Sequence, residues 1–532
     1  MSILISTVII LLAVILSIVA SRWIFTKISV NYVYILMGMI VAVIPFLNQS
    51  IVRFNADFFM GIIVAPLLFF EGQNTRMNLV LRNIKNIISL TVMMVLLTTI
   101  FVGFSTSMIL RVSLPLAFIL AAISTPTDAT ATESVTNGLI MPDQQSTNLK
   151  LESLFNDASG IVLLNMAILW YINGTIKYGA TLGNFTYSAV GGVITGIIIA
   201  GILVSIRQAM LHSKVNFIGN TYNTGIPLKL IYLLTPYLIY YLAEAIEVSG
   251  IIAVVFAGLV HNAESQRSEL SNPRLAYDTV HLTTLLNNAL NGIVFVTLGI
   301  MIVRVIKQQI IGVHYSYNWL IIGIVLYLGN LLVRYLYVRI VHHQNNKNAW
   351  LFSLGGIHGA VTFALAVTVA ETAVQAQDFR VIVLAESTLI ILSMIIPTIL
   401  FRFLLPVKHT DNERQQKIAN MRQEMVNNAI NVIHHSKSPA EIKAAVIFDL
   451  RSQNGNIKMK EFWQAWTAVI RHSELSDDRK KIILRTYRTA FEAERSYLKA
   501  NYNNVKLTEN DFNLLYQETM NAELVILDQY TN

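Results

Sequence analysis

The sequence predicts an all-α polytopic membrane protein: about 13 transmembrane helices in two inverted repeats, with a helical cytoplasmic tail. Three observations carry that prediction. Apolar residues make up 54% of the 532 and charged residues only 13%, with a mean hydropathy of +0.55, a balance foreign to a water-soluble domain of this size. Thirteen apolar stretches are long enough to cross a bilayer. Two of them are interrupted by Gly, Pro and polar residues at matching places in the two halves of the chain.

The stretches run over 3–21, 29–47, 57–74, 87–110, 114–137, 148–172, 184–207, 228–246, 248–262, 280–303, 318–340, 349–371 and 381–404. The first has neither a basic leader nor a small-residue cleavage site and reads as a retained span. The fifth carries Ser124-Thr125-Pro126-Thr127-Asp128-Ala129-Thr130 at mid-depth, and the twelfth carries Gly355-Gly356-Ile357-His358-Gly359. Each reads as a discontinuous helix, since irregular backbone at that depth is tolerated only where it lines a buried site. If stretches 1–6 and 8–13 are repeats joined by the seventh, the two broken members are the fifth of each, and the odd connector inverts the second repeat. That pairing rests on position, since the two halves share no clear sequence similarity. Loop charge sets the orientation: an external N-terminus and a cytoplasmic tail place 13 Lys/Arg in inner loops and 6 in outer ones.

Residues 1–405 therefore form a transmembrane domain and 406–532 a helical tail. Up to residue 405 there are 15 acids and 21 Lys/Arg, and the remainder holds 16 and 18, nearly half the charge in under a quarter of the length. Ser438-Pro439-Ala440-Glu441 reads as a capping box with Pro at the first helical position. Ser476-Asp477-Asp478 opens an amphipathic stretch to Ala500, and Thr508-Glu509-Asn510-Asp511 opens another. The tail is expected to regulate, through a ligand, a protein partner or packing of its apolar faces.

Several function classes are excluded. There is no cysteine, hence no disulfide framework or thiolate metal site. The net charge of +8 sits largely in short loops and implies no nucleic-acid partner. No phosphate-cradling loop, nucleophile elbow or cofactor fingerprint occurs, so neither an enzyme nor a cofactor is expected. The adjacent pairs His342-His343 and His434-His435 do not form a metal-ligand pattern.

Chemistry concentrates in Glu152-Ser153-Leu154-Phe155-Asn156-Asp157-Ala158-Ser159-Gly160, which opens an otherwise apolar span. A charge at bilayer depth costs at least ~2.5–3.5 kcal/mol, which makes an acid there a functional candidate. Helical spacing puts Ser153 and Asp157 on one face and Glu152 with Asn156 on the neighbouring one. A carboxylate withdrawn from water, as Asp157 is expected to be, can hold either a proton or a cation near neutral pH. Glu152 needs a partner of opposite charge, and Arg334 in the eleventh stretch is the expected one, as a structural ion pair. Thr127 and Asp128 lie at the break of the fifth stretch, where a hydroxyl and unwound carbonyls suit a hard monovalent cation. Glu386 lies in the thirteenth stretch and reads either as a second path residue or as a buried, satisfied acid.

Glu152–Val162 (ESLFNDASGIV), Ser124–Ala131 (STPTDATA) and Gly355–Ala366 (GGIHGAVTFALA) resemble the monovalent cation–proton antiporter family, relatives of the sodium–proton exchangers. Ser249–His261 (SGIIAVVFAGLVH) and Pro66–Gly72 (PLLFFEG) fit the same pattern, so the resemblance runs in order through the membrane part. In the tail, Ala493-Glu494-Arg495 and the acidic helix after it resemble the bacterial branch more weakly. The resemblance implies exchange of Na⁺, or K⁺ or Li⁺, for H⁺, with an Asn156-Asp157 pair going with electroneutral one-for-one exchange. It implies ion-binding roles for Asp157, Asn156, Ser153, Thr127, Asp128 and Glu71, with Asp128 set against the positive ends of crossed half-helices. It also implies a moving core within 87–172 and 318–404, and a scaffold within 3–74 and 184–303 that makes a homodimer in the cell membrane. Two departures stand out. Ala129 follows Asp128 where many relatives have Pro, and His358 stands where relatives usually carry Arg. His358 is either a pH-linked group or a neutral side chain that hydrogen-bonds the broken helix. K⁺ as the main cation, or a pH- or ligand-sensing protein with weak transport, are the alternatives.

Overall fold

The computed structural model of the chain describes residues 3–24, 29–52, 56–174, 178–212, 225–268, 273–310, 318–372, 374–407, 412–453, 477–503 and 509–531. Among these residues the regular structure is helical, and extended backbone pairs only in an isolated antiparallel bridge between Leu139 and Val407. The chain divides into two compact units, Met1–Val407 and Lys408–Asn532.

In the first unit helix lies on every apolar stretch. α1 (Ile3–Trp23) and α2 (Val30–Val43) are followed by the short α3 (Pro45–Ser50). The third stretch is α4 (Ala56–Phe59), a π turn (Met60–Val64) and α5 (Ala65–Gln73), the wide turn lying where Pro66 removes an N–H from the ladder. α6 (Met77–Arg82) and α7 (Ile84–Ile88) lead through a second π turn (Ser89–Met93) into α8 (Met94–Leu110). The fifth stretch is split into α9 (Leu114–Ile123) and α10 (Ala129–Val135). α11 (Asp143–Asn173), α12 (Tyr178–His212), α13 (Gly225–Ala245), α14 (Gly250–Ser268), α15 (Pro273–Ile310) and α16 (Asn318–Ile340) are continuous. The twelfth stretch is split into α17 (Asn346–Leu354) and α18 (Ala360–Thr372), and α19 (Ala376–Leu404) ends the unit. Seven described helices are by themselves long and apolar enough to span a bilayer. Exposed Leu, Ile and Val rows such as Leu12, Ile15 and Leu16 on α1 supply the lipid-facing surface.

These helices pack as two groups. α2 runs along α15, α5 along α14, and α12 and α13 also lie on α14. α8, α9, α11, α16, α18 and α19 pack among themselves. The α2–α15 contact is backbone against backbone. A Cβ at Gly38 would lie 2.1 Å from Val296 O, and one at Gly299 would lie 2.2 Å from Ile35 O. Small residues permit that approach, which in a membrane replaces the missing hydrophobic drive between helices.

The second unit holds α20 (Asn412–His434), α21 (Ala440–Ser452), α22 (Asp477–Asn503) and α23 (Glu509–Thr531), closed around Met425, Val426, Ile433, Phe491, Leu498 and Leu515. The expected capping box at Ser438 is not formed. Pro439 is itself the cap residue of α21, and the Ser438 hydroxyl pairs with Thr486 at 2.7 Å instead. Ser476 and Thr508 fall outside the described residues.

Glu494 of α22 is fully buried, and neither carboxyl oxygen has a hydrogen-bond partner among the described residues. Burial pushes its carboxyl up to about 8 from an ordinary 4.5, opposed by the adjacent Arg495 and reinforced by Glu523 of α23, which Arg495 pairs with. The folded tail thus keeps a proton that the unfolded chain releases. Its stability is full below about pH 4.5 and falls by up to about tenfold in the folded-to-unfolded ratio per pH unit until about pH 8. Glu494→Gln should flatten this dependence. Hydrogen-exchange protection of α22 amides in the full-length protein, corrected for intrinsic rates, is the measurement, and an unchanged slope in the variant would contradict it.

Candidate functional site

The two broken helices cross, and short-range chemistry explains where each breaks. The hydroxyls of Ser124 and Thr125 turn back onto Ala121 O (2.8 Å) and Ala122 O (2.9 Å), and Pro126 cannot continue the ladder of α9. In α17 the Gly355-Gly356 pair ends the helix. The freed backbones then satisfy each other: Asp128 N–H donates to Ile357 O at 2.7 Å, and the Thr132 hydroxyl donates to Gly355 O at 2.8 Å. His358 is buried and its Nδ1–H donates to Pro126 O at 2.7 Å, where the Thr362 hydroxyl also donates at 3.0 Å. Through that bond the His358 side chain links the two breaks.

Asp128 caps both half-helices. Its Oδ1 accepts Ala131 N–H at 2.9 Å in the first turn of α10, and its Oδ2 accepts Ala360 N–H at 3.3 Å at the start of α18. One carboxylate therefore faces two helix N-termini, whose partial positive charge suits it. Gly359 makes room for it, since a Cβ there would lie 2.0 Å from Asp128 Oδ2.

α11 lies against this crossing. Ser153 Oγ donates to Thr127 O at 2.6 Å, and Asn156 Nδ2 donates to Thr127 Oγ1 at 2.8 Å and to Glu152 Oε1 at 3.3 Å. Arg334 of α16 reaches both oxygens of Glu152, with Nη2 to Oε2 at 2.8 Å, and also donates to Phe352 O at 3.3 Å. Both partners are buried, and the guanidinium lies 4.7 Å from the Phe352 ring centroid.

Asp157 is 2% exposed, and its Oδ1 has no hydrogen-bond partner among the described residues; Asn156 Oδ1 is likewise unpartnered. Asp157 lines a cleft together with Thr127, Asp128 and Thr130 of the crossing and Glu71 and Asn291 of the other helix group. Glu71 Oε1 accepts the Thr130 hydroxyl at 3.1 Å and lines the cleft. Glu386 is not in the cleft. It is fully buried, and neither of its oxygens has a hydrogen-bond partner among the described residues.

Sequence reasoning missed three polar groups. Asn330 of α16 donates to Ser124 Oγ at 3.0 Å, Ser393 of α19 accepts His358 N–H at 3.0 Å, and Asn291 lines the cleft. The run Asn287-Asn288 with Asn291, inside an apolar span, was the available signal.

The sequence profile of the transmembrane sodium/hydrogen exchangers matches residues 8–406. The chain belongs to the sodium/hydrogen exchanger family. Among curated relatives, the sodium, potassium, lithium and rubidium/H⁺ antiporter of Bacillus pumilus is 27% identical over 84% of this chain and 69% of its own length. The antiporter of the same name from Bacillus subtilis is also 27% identical, over 82% and 67%. Among solved structures, the sodium proton antiporter MjNhaP1 from Methanocaldococcus jannaschii shares the fold, with a TM-score of 0.59 over 76% of this chain and 98% of that one, at 22% identity. This exchanger-family member is thus a multi-pass membrane protein with the antiporter fold, and its named relatives are transporters, not enzymes.

The tight fit at Gly359 carries an expected result. Gly359→Ala forces Asp128 away from Ala360 N–H, breaking a shared cap at a cost of about 1–2 kcal/mol, and should slow transport by at least about tenfold. Initial exchange rates in vesicles matched for protein content check it; a wild-type rate would mean the crossing tolerates the displacement.

Proposed function

We propose that this exchanger moves one monovalent cation against one proton, without net charge transfer, at the carboxylate of Asp157. The observation that carries the reading is that Asp157 Oδ1 is buried at the cleft with no hydrogen bond from the described residues. A bare carboxylate withdrawn from water costs several kcal/mol, and a proton or a cation relieves that cost, but not both together. Competition for one group couples the two fluxes.

The other groups then take roles by chemistry. Asp157, Asn156 Oδ1, Ser153 Oγ and Thr127 offer the oxygen ligands that a hard cation prefers. Asn156 beside Asp157 adds no second titrating charge, in keeping with electroneutral exchange. Asp128 holds the crossing together, Glu71 attracts cations into the cleft, and the Glu152–Arg334 pair fixes α11 against α16. The helix group of α8, α9, α11, α16, α18 and α19 is the moving core, and the group of α2, α5, α12, α14 and α15 is the scaffold and homodimer face. The N-terminus is external and the tail is a cytoplasmic regulatory unit.

The transported ion is Na⁺ or K⁺. The names of the Bacillus relatives include potassium, lithium and rubidium beside sodium, which favours a site of broad alkali-cation tolerance. Proteoliposomes loaded with a pH-sensitive dye and given Na⁺, K⁺, Li⁺ or Rb⁺ in turn test the reading. Saturable, cation-driven proton movement is the expected result, and no movement with any of the four would overturn it.

A further inference from the structure

Asn291 is a polar cleft residue to which the proposed mechanism gives no task. It sits on α15, in the helix group that does not carry Asp157, yet lines the same cleft and is only 8% exposed. Its amide nitrogen points to Asn31 of α2, with Nδ2 3.5 Å from Asn31 Oδ1, which leaves its carbonyl oxygen as the group to offer the cleft. Asn31 is fully buried, and its own Nδ2 has no hydrogen-bond partner among the described residues. An amide pair inside an apolar helix contact is costly unless it serves something. The contact that holds it is also stiff, because Gly38 and Gly299 let α2 and α15 meet backbone to backbone.

We propose that Asn291 is a cation ligand supplied by the scaffold, direct or through one water, which contacts the ion only while the cleft described here is open. The inference rests on the Asp157 reading. A cation moving from water to Asp157 must shed water, and each lost oxygen has to be replaced. An amide carbonyl replaces one without adding charge, so it strengthens binding and leaves the charge count of the cycle unchanged. Glu71 shares that wall but is held by Thr130 of the core. Asn291 is held within its own group, by Asn31. When the core shifts to face the other side, Asp157 leaves Asn291 behind. Asn291 therefore favours cation capture at one membrane face and not at the other.

The test compares half-saturating Na⁺ and Li⁺ concentrations in everted and in right-side-out membrane vesicles, which present opposite faces. For Asn291→Leu the expected result is a rise of about tenfold at one face, the worth of one lost hydrogen-bond-strength contact, with the other face and the maximal rate little changed. Asn291→Asp keeps an oxygen in place and should hold the value at or below wild type. Asn31→Ala, which loosens the amide, should give a smaller rise at the same face. An unchanged value in Asn291→Leu, an equal rise at both faces, or an Asn291→Asp protein as impaired as the Leu variant while equally abundant would each overturn the proposal. Asp157→Asn run alongside separates the two levels. Exchange surviving in that variant sinks the Asp157 reading itself, whereas exchange lost there with Asn291→Leu behaving as wild type sinks the Asn291 inference alone.

Discussion

Asp157→Asn is expected to abolish cation-driven proton movement while leaving the exchanger folded and abundant. Asparagine has nearly the size of the aspartate but can neither ionise nor carry a transported proton, so both halves of the exchange are lost together. The rate should fall by at least about a hundredfold, beyond what loss of a neutral ligand worth ~1 kcal/mol would explain. Stability should move the other way or not at all. Asp157 Oδ1 gains nothing from the protein in return for its burial, so removing the charge removes a cost. Dye-loaded proteoliposomes and a melting curve in detergent give the two readouts. A variant that is inactive because it no longer folds would fail the second; a variant that still exchanges at the wild-type rate would contradict the role of Asp157.

The second large effect lies at Glu152 and Arg334. Arg334→Ala strands a fully buried Glu152 whose remaining neighbour is the Asn156 amide at 3.3 Å. Leaving one member of a buried pair uncompensated costs ~3–5 kcal/mol, enough to lose most of the folded protein. Glu152→Gln should cost less in the same background than in wild type, because it removes the charge that Arg334→Ala exposed. The double variant should therefore recover abundance relative to Arg334→Ala, and a double-mutant cycle on melting temperature and vesicle content measures it. Additive losses in the double variant would show that the two groups do not depend on each other.

Much of this was legible in the chain, and what was hidden has a physical reason. Apolar runs set the spans because lipid leaves few alternatives, and Pro126 and Gly355-Gly356 marked the breaks because no helix passes through them unaided. Asp157 stood out because an acid at that depth needs a reason. Arg334 could be matched to Glu152 because few charges were available in the apolar stretches. By contrast, the second bond of Asp128 goes to an amide 232 residues away, and the His358 ring reaches a carbonyl equally distant. Local pattern contains no trace of such meetings. The Asn287-Asn288 run with Asn291 marks a polar patch in an apolar span, but an amide there looks alike whether it faces a cleft or a neighbour. At Ser438 the local pattern misled: a hydroxyl three residues before Glu441 suits a capping box, but Thr486 of α22 competed for it and won.

Charge transfer per cycle is the most direct test of a single carboxylate shared between one cation and one proton. Proteoliposomes containing the exchanger are given a Na⁺ jump while proton movement and membrane current are recorded together, with and without an imposed voltage. The expected result is proton movement with no steady current and a rate and end point indifferent to voltage. A net charge moved per cycle would instead shift the end point by about 2.3 kcal/mol per 100 mV. A steady current with that voltage dependence would contradict the account, and would mean that a second titrating group, such as Glu71 or Glu386, takes part in the cycle.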